Sequence, residues 1–337
     1  LILMKIGFFE LEDWEEKIIR ENFPNDEVFL SKEKITELNL PAQNDFEIVS
    51  IFVNSEINEK ALAHFPNLKF VTTRSTGYDH IDLEACKKRG VQAAFVPGYG
   101  NNTVAEWAFG LILNLTRKMY LAIDRIKETE EFSFDGLRGI DLKNRTIGII
   151  GTGRIGKEMV KISRGFGMKI IAFDLFPDAN AAKELNFEYV DLETLLKNSD
   201  IISVHTPLSE KTHHLINKEN VGLIKRGAYL INTARGGIVE TEALVWGLQK
   251  GILAGAGLDV LEEEDEIKDE MFFLREGAPP QDKLKTTLEN HVLMKMPNVL
   301  ITPHNAFNSE EALARILATT VENIREFIRN EPINLIE

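Results

Sequence analysis

Cysteine is nearly absent, Cys86 being the only one in 337 residues. An internal disulfide is excluded, and so is a cysteine-based metal cluster. A lone thiol suits a reducing compartment and reads as a small core residue. Positive charge is also scarce: 39 Lys and Arg stand against 53 Asp and Glu, for a formal charge of -14 with no basic block. That balance argues against nucleic acid or an anionic membrane surface as a partner. An anionic small molecule would need a local positive site. No apolar run reaches membrane-spanning length, and no metal-ligand motif or internal repeat is present. The opening Leu1-Ile2-Leu3-Met4-Lys5 has no positive region before its apolar residues and runs into Glu10, Glu12 and Asp13, so it does not read as a signal peptide. A cytoplasmic protein is expected, starting at Met4 or, through a non-standard codon, at Leu1.

The most informative stretch runs from Thr146 to Asp174. Ile147-Gly148-Ile149-Ile150 reads as a buried parallel strand. It runs into Gly151-Thr152-Gly153-Arg154-Ile155-Gly156, a G-x-G-x-x-G loop, then a helix from Lys157, then a second strand, Lys169–Phe173, ending at Asp174. Gly151 permits a tight turn, Gly153 lets the backbone approach a pyrophosphate, and Gly156 lets helix and strand pack closely. The helix N-terminus offers free N–H groups to phosphates. Asp174 stands where a carboxylate accepts hydrogen bonds from a ribose diol. Leu175-Phe176-Pro177 follow, with no Arg or Lys immediately beyond to meet a 2′-phosphate, which favours NAD over NADP.

The fold class expected is α/β, with two Rossmann-like parallel-sheet domains around a cleft. In the first, strands are expected near Ile6–Phe9, Val28–Leu30, Ile48–Val53, Leu68–Thr73 and Val91–Phe95. Two loops stand out there, Ser75-Thr76-Gly77-Tyr78-Asp79 and Val96-Pro97-Gly98-Tyr99-Gly100-Asn101-Asn102. A long helix from Thr103 should bury Val104, Trp107, Ala108, Leu111, Ile112, Leu115 and Met119 as one stripe. The last helix, Ala312 to Asn330, could return to the first domain and make it discontinuous. The boundaries read 1–99 with 305–337 for a substrate domain and 100–304 for the NAD-binding domain, with a hinge near Tyr99–Thr103 and after His304.

A nicotinamide enzyme acting on a carbonyl needs a group to hold the substrate, a group to exchange a proton with the carbonyl oxygen, and a group to keep the second in the right state. Polar residues end several strands: Thr206, Arg235, Asp259 and His304. Arg235 is the best anchor, because a guanidinium grips carboxylates bidentately and Ala234 and Gly236-Gly237 flank it just past a buried strand. His304 is the best acid/base among 7 histidines. His213 and His214 fall in a polar loop, His64 and His291 in amphipathic stretches, His80 after the Thr76-Gly77 loop. His205 ends a strand at a position to touch cofactor. The run Glu262-Glu263-Glu264-Asp265-Glu266 reads as a solvated acidic loop; a carboxylate hydrogen-bonded to His304 would stabilise the imidazolium, and composition leaves open which acid that is.

The sequence resembles the D-isomer-specific 2-hydroxyacid dehydrogenases, most closely the D-lactate dehydrogenase branch. The resemblance covers nearly the whole chain. It is carried by Ser75-Thr76-Gly77-Tyr78-Asp79-His80-Ile81-Asp82, Val96-Pro97-Gly98-Tyr99, Val104-Ala105-Glu106, the Gly151–Gly156 loop, Asn232-Thr233-Ala234-Arg235-Gly236, Leu258-Asp259-Val260 and Thr302-Pro303-His304. It implies Arg235 as substrate anchor, His304 as proton donor in reduction, and Glu264, five residues after Asp259, as the acid beside His304. Thr76, Gly77 and Tyr99 would face the substrate carboxylate. Thr103, Gly151, Gly153, Arg154, Ile155, Gly156, Asp174, His205, Thr206, Pro207, Thr233, Ala234 and Asp259 would line NAD. A small anionic 2-keto or 2-hydroxy acid is the implied substrate and a homodimer the implied assembly. Asn308 stands where the branch commonly has Tyr, which bears on substrate size. The alternatives are a glyoxylate, hydroxypyruvate or branched-chain keto acid reductase, or an NAD-binding corepressor or sensor without turnover.

Overall fold

The computed structural model describes residues 3–264 and 281–336. Asp265 and Glu266 of the acidic run lie outside these residues. The chain divides into two compact units, Leu1–Tyr99 with Ser309–Glu337, and Gly100–Asn308.

The first unit is a parallel sheet of β1 (Lys5–Phe8), β2 (Glu27–Leu30), β3 (Ile48–Ile51), β4 (Phe70–Thr73) and β5 (Gln92–Ala94), in the order β2-β1-β3-β4-β5. Strands β3 and β4 are buried along their whole length, so they read as unbroken rather than alternating runs. Helices α1 (Asp13–Asn22), α2 (Glu59–His64) and α3 (Leu83–Arg89) connect the strands. Asn58 and Asp82 cap the second and third by accepting amide hydrogen bonds in the first turn.

The second unit opens with α4 (Asn101–Arg117) and α5 (Met119–Thr129). The sheet strands are β6 (Thr146–Ile150), β7 (Lys169–Phe173), β8 (Glu188–Tyr189), β9 (Ile201–Val204), β10 (Ala228–Asn232), β11 (Leu253–Leu258) and β12 (Val299–Ile301). Between them run α6 (Arg154–Gly165), α7 (Ala179–Leu185), α8 (Leu192–Asn198), α9 (Thr241–Gln249) and α10 (Gln281–Lys295). All strand pairs are parallel, in the order β12-β11-β10-β9-β6-β7-β8. The order reverses between β6 and β9, the switch point at which open α/β sheets bind ligands.

The final helix, α11 (Glu310–Ile328), belongs to the first unit. Leu317, Val321 and Ile324 join Ile6, Phe8 and Ile19 in one core, and Phe327 stacks on Phe70 at 4.3 Å between centroids. The discontinuous first unit therefore rests on an apolar face of this helix that packs on the sheet. The return falls at Ser309 rather than 305, because the amides of Asn305 and Ala306 are bonded to the carboxylate of Asp259 in the second unit.

The expected stripe on α4 needs correction. Ala105, Ala108, Phe109, Leu111, Ile112 and Leu115 are buried, whereas Val104 and Trp107 are half-buried. Met119 is 45% exposed. The helix stops at Lys118, which adopts a left-handed φ of 52°, so Met119 starts a new helix with no buried residues.

Candidate active site

The glycines of the loop after β6 answer three different demands. Gly151 has φ +90°, and a Cβ there would lie 2.7 Å from the backbone of His205 and Thr206. At Gly156 a Cβ would lie 2.0 Å from the Gly151 carbonyl oxygen. At Gly153 it would meet nothing within 4 Å, so the backbone there faces open space. Gly153 caps α6 without a side-chain hydrogen bond, which leaves first-turn amides of that helix for a ligand. Arg154 is exposed and Ile155 half-buried.

Asp174 follows β7. Its carboxylate accepts hydrogen bonds from the Thr152 amide at 2.6 Å, the Thr152 hydroxyl at 2.9 Å and the Phe176 amide at 2.9 Å. The Thr152 hydroxyl also meets Tyr189 Oη at 2.6 Å, and Tyr189 Oη accepts the Asp178 amide. Lys157, in the first turn of α6, is paired with Asp178 at 2.9 Å.

Past β9 and β10 lie two buried polar atoms without a partner, His205 Nδ1 and Thr233 Oγ1. His205 Nε2 meets Ser203 Oγ at 2.8 Å. Burial depresses the imidazole to about 3, so the ring is neutral. Both atoms stand at strand ends beside the switch point. With the open Gly153 and the uncapped helix they make a donor and acceptor set that a dinucleotide would satisfy. Thr206 is half-buried and Pro207 exposed at the same edge. Thr103 is buried in the first turn of α4.

Arg235 sits in a sharp turn after β10. Asn232 holds this turn at both ends, accepting the Ala234 amide at 3.0 Å and donating to the Arg235 carbonyl at 2.9 Å. The guanidinium donates to the Ala234 carbonyl at 2.8 Å. The next residue, Gly236, is packed so tightly that a Cβ would lie 2.1 Å from the carbonyl of Leu261. The Arg235 turn and the loop carrying Glu264 are therefore in direct contact.

His304 and Glu264 come together, with Nδ1 2.8 Å from Oε1. The two side chains are 40% and 26% exposed, open enough to meet a ligand. Asp259 is nearly fully buried and builds the histidine's turn. Its carboxylate accepts the Thr302 hydroxyl and the amides of Asn305 (2.9 Å) and Ala306 (2.8 Å), while its carbonyl accepts the His304 amide at 2.9 Å. Burial raises the Asp259 carboxyl; hydrogen bonds from Thr302, Asn305 and Ala306 oppose that. The family resemblance implies Asp259 among the residues lining NAD; its side chain binds the turn that carries His304.

In the first unit, Thr76 is exposed and its hydroxyl donates to the Val96 carbonyl at 2.8 Å, tying together the two loops after β4 and β5. The Gly77 carbonyl accepts the Ser75 hydroxyl at 2.5 Å, and the Tyr99 carbonyl accepts Arg315 Nε at 2.7 Å. The Ser75–Gly77 loop is anchored by Arg74, fully buried, which donates to the carbonyls of Phe9 and Glu10 at 2.7 Å and lies 3.5 Å from Glu15. Arg74 was not singled out from sequence; nothing in its surroundings there distinguishes it from a surface arginine.

Also missed were His214, Glu262, Thr241 and Asn290. Glu262 Oε1 meets His214 Nε2 at 2.6 Å, Oε2 accepts the Thr241 amide and hydroxyl at 3.1 and 2.8 Å, and the Glu262 carbonyl accepts Asn290 Nδ2 at 2.8 Å. A polar loop and an acidic run gave no sign of this pairing, which joins positions far apart in sequence.

Two all-parallel sheets, a glycine loop at the switch point and a carboxylate–imidazole pair past the strand ends define a dinucleotide-dependent oxidoreductase. Residues 109–306 match the family model described as D-isomer specific 2-hydroxyacid dehydrogenase, NAD binding domain. The chain is 34% identical to a D-lactate dehydrogenase of Escherichia coli, over 97% of this chain and 98% of that one. It is 37% identical to an aromatic 2-oxoacid reductase of Clostridium sporogenes, over 84% and 83%. The solved D-lactate dehydrogenase of Aquifex aeolicus, complexed with NAD and lactic acid, superposes with a TM-score of 0.82 at 35% identity, covering 97% of this chain and 96% of that one. The chain belongs to the D-isomer-specific 2-hydroxyacid dehydrogenase family, and its cofactor is NAD. Among the described residues no helix is long and apolar enough to cross a membrane.

Proposed function

We propose that the chain reduces a small 2-keto acid of the pyruvate type to the D-2-hydroxy acid, and catalyses the reverse. The balance is 2-keto acid, NADH and a proton giving 2-hydroxy acid and NAD. The observation that carries this reading is the 2.8 Å contact of His304 with Glu264, in a loop that packs on the Arg235 turn.

Arg235 pairs with the substrate carboxylate through two parallel N–H groups and draws electron density from the keto oxygen. By the family likeness, Thr76, Gly77 and Tyr99 also serve substrate carboxylate binding. The imidazolium of His304 donates its Nε2 proton to the oxygen as it becomes an alkoxide; in oxidation the neutral ring takes the proton back. Glu264 orients the ring through Nδ1. The bound dinucleotide supplies the hydride in reduction and accepts it in oxidation. The Gly151–Gly156 loop with Arg154 and Ile155 holds its pyrophosphate, Asp174 its ribose, and Thr103, His205, Thr206, Pro207, Thr233 and Ala234 the remainder. A cytoplasmic homodimer belongs to the same reading.

The test is NADH oxidation by the purified chain with pyruvate, glyoxylate, hydroxypyruvate, 2-ketoisocaproate and phenylpyruvate, followed by chiral analysis of the product. Pyruvate should give the highest kcat/KM and a D product. A larger acid as best substrate would correct the substrate size, on which Asn308 bears. NADH binding with no turnover of any acid would establish the sensor reading instead.

A further inference from the structure

His214 holds both sides of the contact between the Arg235 turn and the Glu264 loop. Its backbone amide donates to the Gly237 carbonyl at 2.8 Å, two residues past Arg235, and its ring meets Glu262 at 2.6 Å, two residues before Glu264. The His214 backbone is itself left-handed, with φ 49°, and its ring stacks on His213 at 3.8 Å between centroids. Glu262 is fixed on its other oxygen by Thr241 at the start of α9, and through its carbonyl by buried Asn290 on α10. Glu264 is in turn tied to the same loop, its Oε2 accepting the Leu261 amide at 3.3 Å. The path from Gly237 through His214 and Glu262 to Glu264 and His304 runs through hydrogen bonds and a few backbone residues only.

We infer that His214 and Glu262 are positioning residues that set the spacing between the substrate anchor Arg235 and the Glu264–His304 proton donor. The inference rests on the function proposed above. Arg235 fixes the substrate carboxylate and His304 meets the oxygen two atoms away, so an error in their spacing falls on the reacting geometry. A misplacement of about 1 Å at a reacting centre costs on the order of 100-fold in rate. The contact at Gly236 has no slack to absorb such a shift, since its missing Cβ is already occupied by the Leu261 backbone. Glu262 is held as an anion: burial raises its carboxyl, and the hydrogen bonds from His214 and Thr241 outweigh that and lower it. The pair therefore works as a fixed strut.

The experiment compares the wild type with His214→Gln, Glu262→Gln and the double variant, using kcat and KM for the best keto acid, NADH affinity by fluorescence, and the pH profile of kcat/KM. Each single variant should lower kcat/KM by roughly 10- to 100-fold, through both a higher KM and a lower kcat. NADH affinity should stay within about twofold. The pH profile of kcat/KM should differ from that of the wild type, because Glu264 is displaced from its contact with Nδ1 of His304. The double variant should be no worse than the poorer single, as for two parts of one strut. Thr241→Ala, which removes one bond to Glu262 and no residue of the strut, should give a smaller loss of the same kind. An active wild type whose variants keep its KM and pH profile, losing rate only in proportion to folded protein, overturns the strut alone. A wild type inert on every keto acid overturns the functional reading and the strut with it.

Discussion

Nδ1 of His304 lies 2.8 Å from Oε1 of Glu264, and the histidine reaches that position with a left-handed φ of 52°. A residue other than glycine in that conformation costs about 1 kcal/mol or more, and it persists only where the surroundings demand it. Here Asp259 makes the demand, by binding the amides on the far side of the turn and the Thr302 hydroxyl before it. The strain aims Nδ1 at Glu264, and in the proposed reaction Nε2 meets the substrate oxygen.

Replacing the ring in His304→Gln should lower turnover by roughly 10²–10⁴, the usual size of a general acid–base contribution, with NADH affinity little changed. Glu264→Gln should keep the contact but lose the charge, so the pH profile for reduction should differ from that of the wild type. Glu263 is exposed and paired with Lys283 at 3.0 Å, so Glu263→Gln should leave the profile in place. A shift from Glu263→Gln with none from Glu264→Gln would show that the wrong carboxylate has been paired with His304.

Much of this was legible in the chain. The alternation of apolar runs and amphipathic stretches predicts both sheets, because parallel strands buried on both faces read as nearly continuous apolar runs. The glycine loop was legible from its spacing between a strand and a helix; Gly151 and Gly156 each meet a steric limit, and Gly153 meets nothing within 4 Å. The places of Arg235 and His304 just past strand ends were legible from the apolar runs before them. The choice of Glu264 over its neighbours was not: it needed a family likeness, since a run of carboxylates presents the same composition whichever one faces inward. His214, Glu262 and Arg74 were opaque for a related reason. Their partners are distant in sequence, and a buried charge paired across the fold looks in sequence like an exposed one. The break at Lys118 was hidden because a left-handed lysine carries no signal comparable to a glycine.

Cofactor choice turns on Asp174. Its carboxylate is pinned by Thr152 and Phe176, and Lys157, a nearby cation on α6, is already neutralised by Asp178. A 2′-phosphate would meet a fixed anion. NADH should have the larger kcat/KM, and Asp174→Ala should narrow the gap, chiefly by weakening NADH binding. Equal specificity constants in the wild type, or a preference for NADPH, would contradict the assignment.

His205 should make stability depend on pH. Its folded-state value is depressed to about 3, against about 6.5 for an unperturbed histidine. The unfolded chain therefore binds a proton that the folded chain refuses. The neutral ring costs nothing at pH 8, and stability should fall as pH drops from about 6.5 toward 3, by up to about 1.4 kcal/mol per pH unit from this group. Urea unfolding at pH 7.5 and pH 5 should show the loss, and His205→Gln should reduce it. A variant with the same pH slope as the wild type would mean that the ring is charged or hydrated in the folded state.

The three loop glycines should separate stability from cofactor binding. In Gly156→Ala the new methyl would sit 2.0 Å from the Gly151 carbonyl oxygen. Backbone cannot yield as a flexible side chain can, so α6 must move away from β6, at a cost of about 1–3 kcal/mol or more. Gly151→Ala adds a strained φ of +90° to a clash with the His205 and Thr206 backbone and should be at least as damaging. In Gly153→Ala the methyl meets nothing within 4 Å, so the free protein should unfold at nearly the wild-type temperature. The space it fills is the space a pyrophosphate would approach, at the uncapped start of α6. NADH affinity should therefore drop in Gly153→Ala, while for Gly156→Ala thermal unfolding should shift first. Thermal unfolding and NADH fluorescence titration on the same three variants decide it. A Gly153→Ala protein that binds NADH like the wild type would place the pyrophosphate elsewhere along the strand ends.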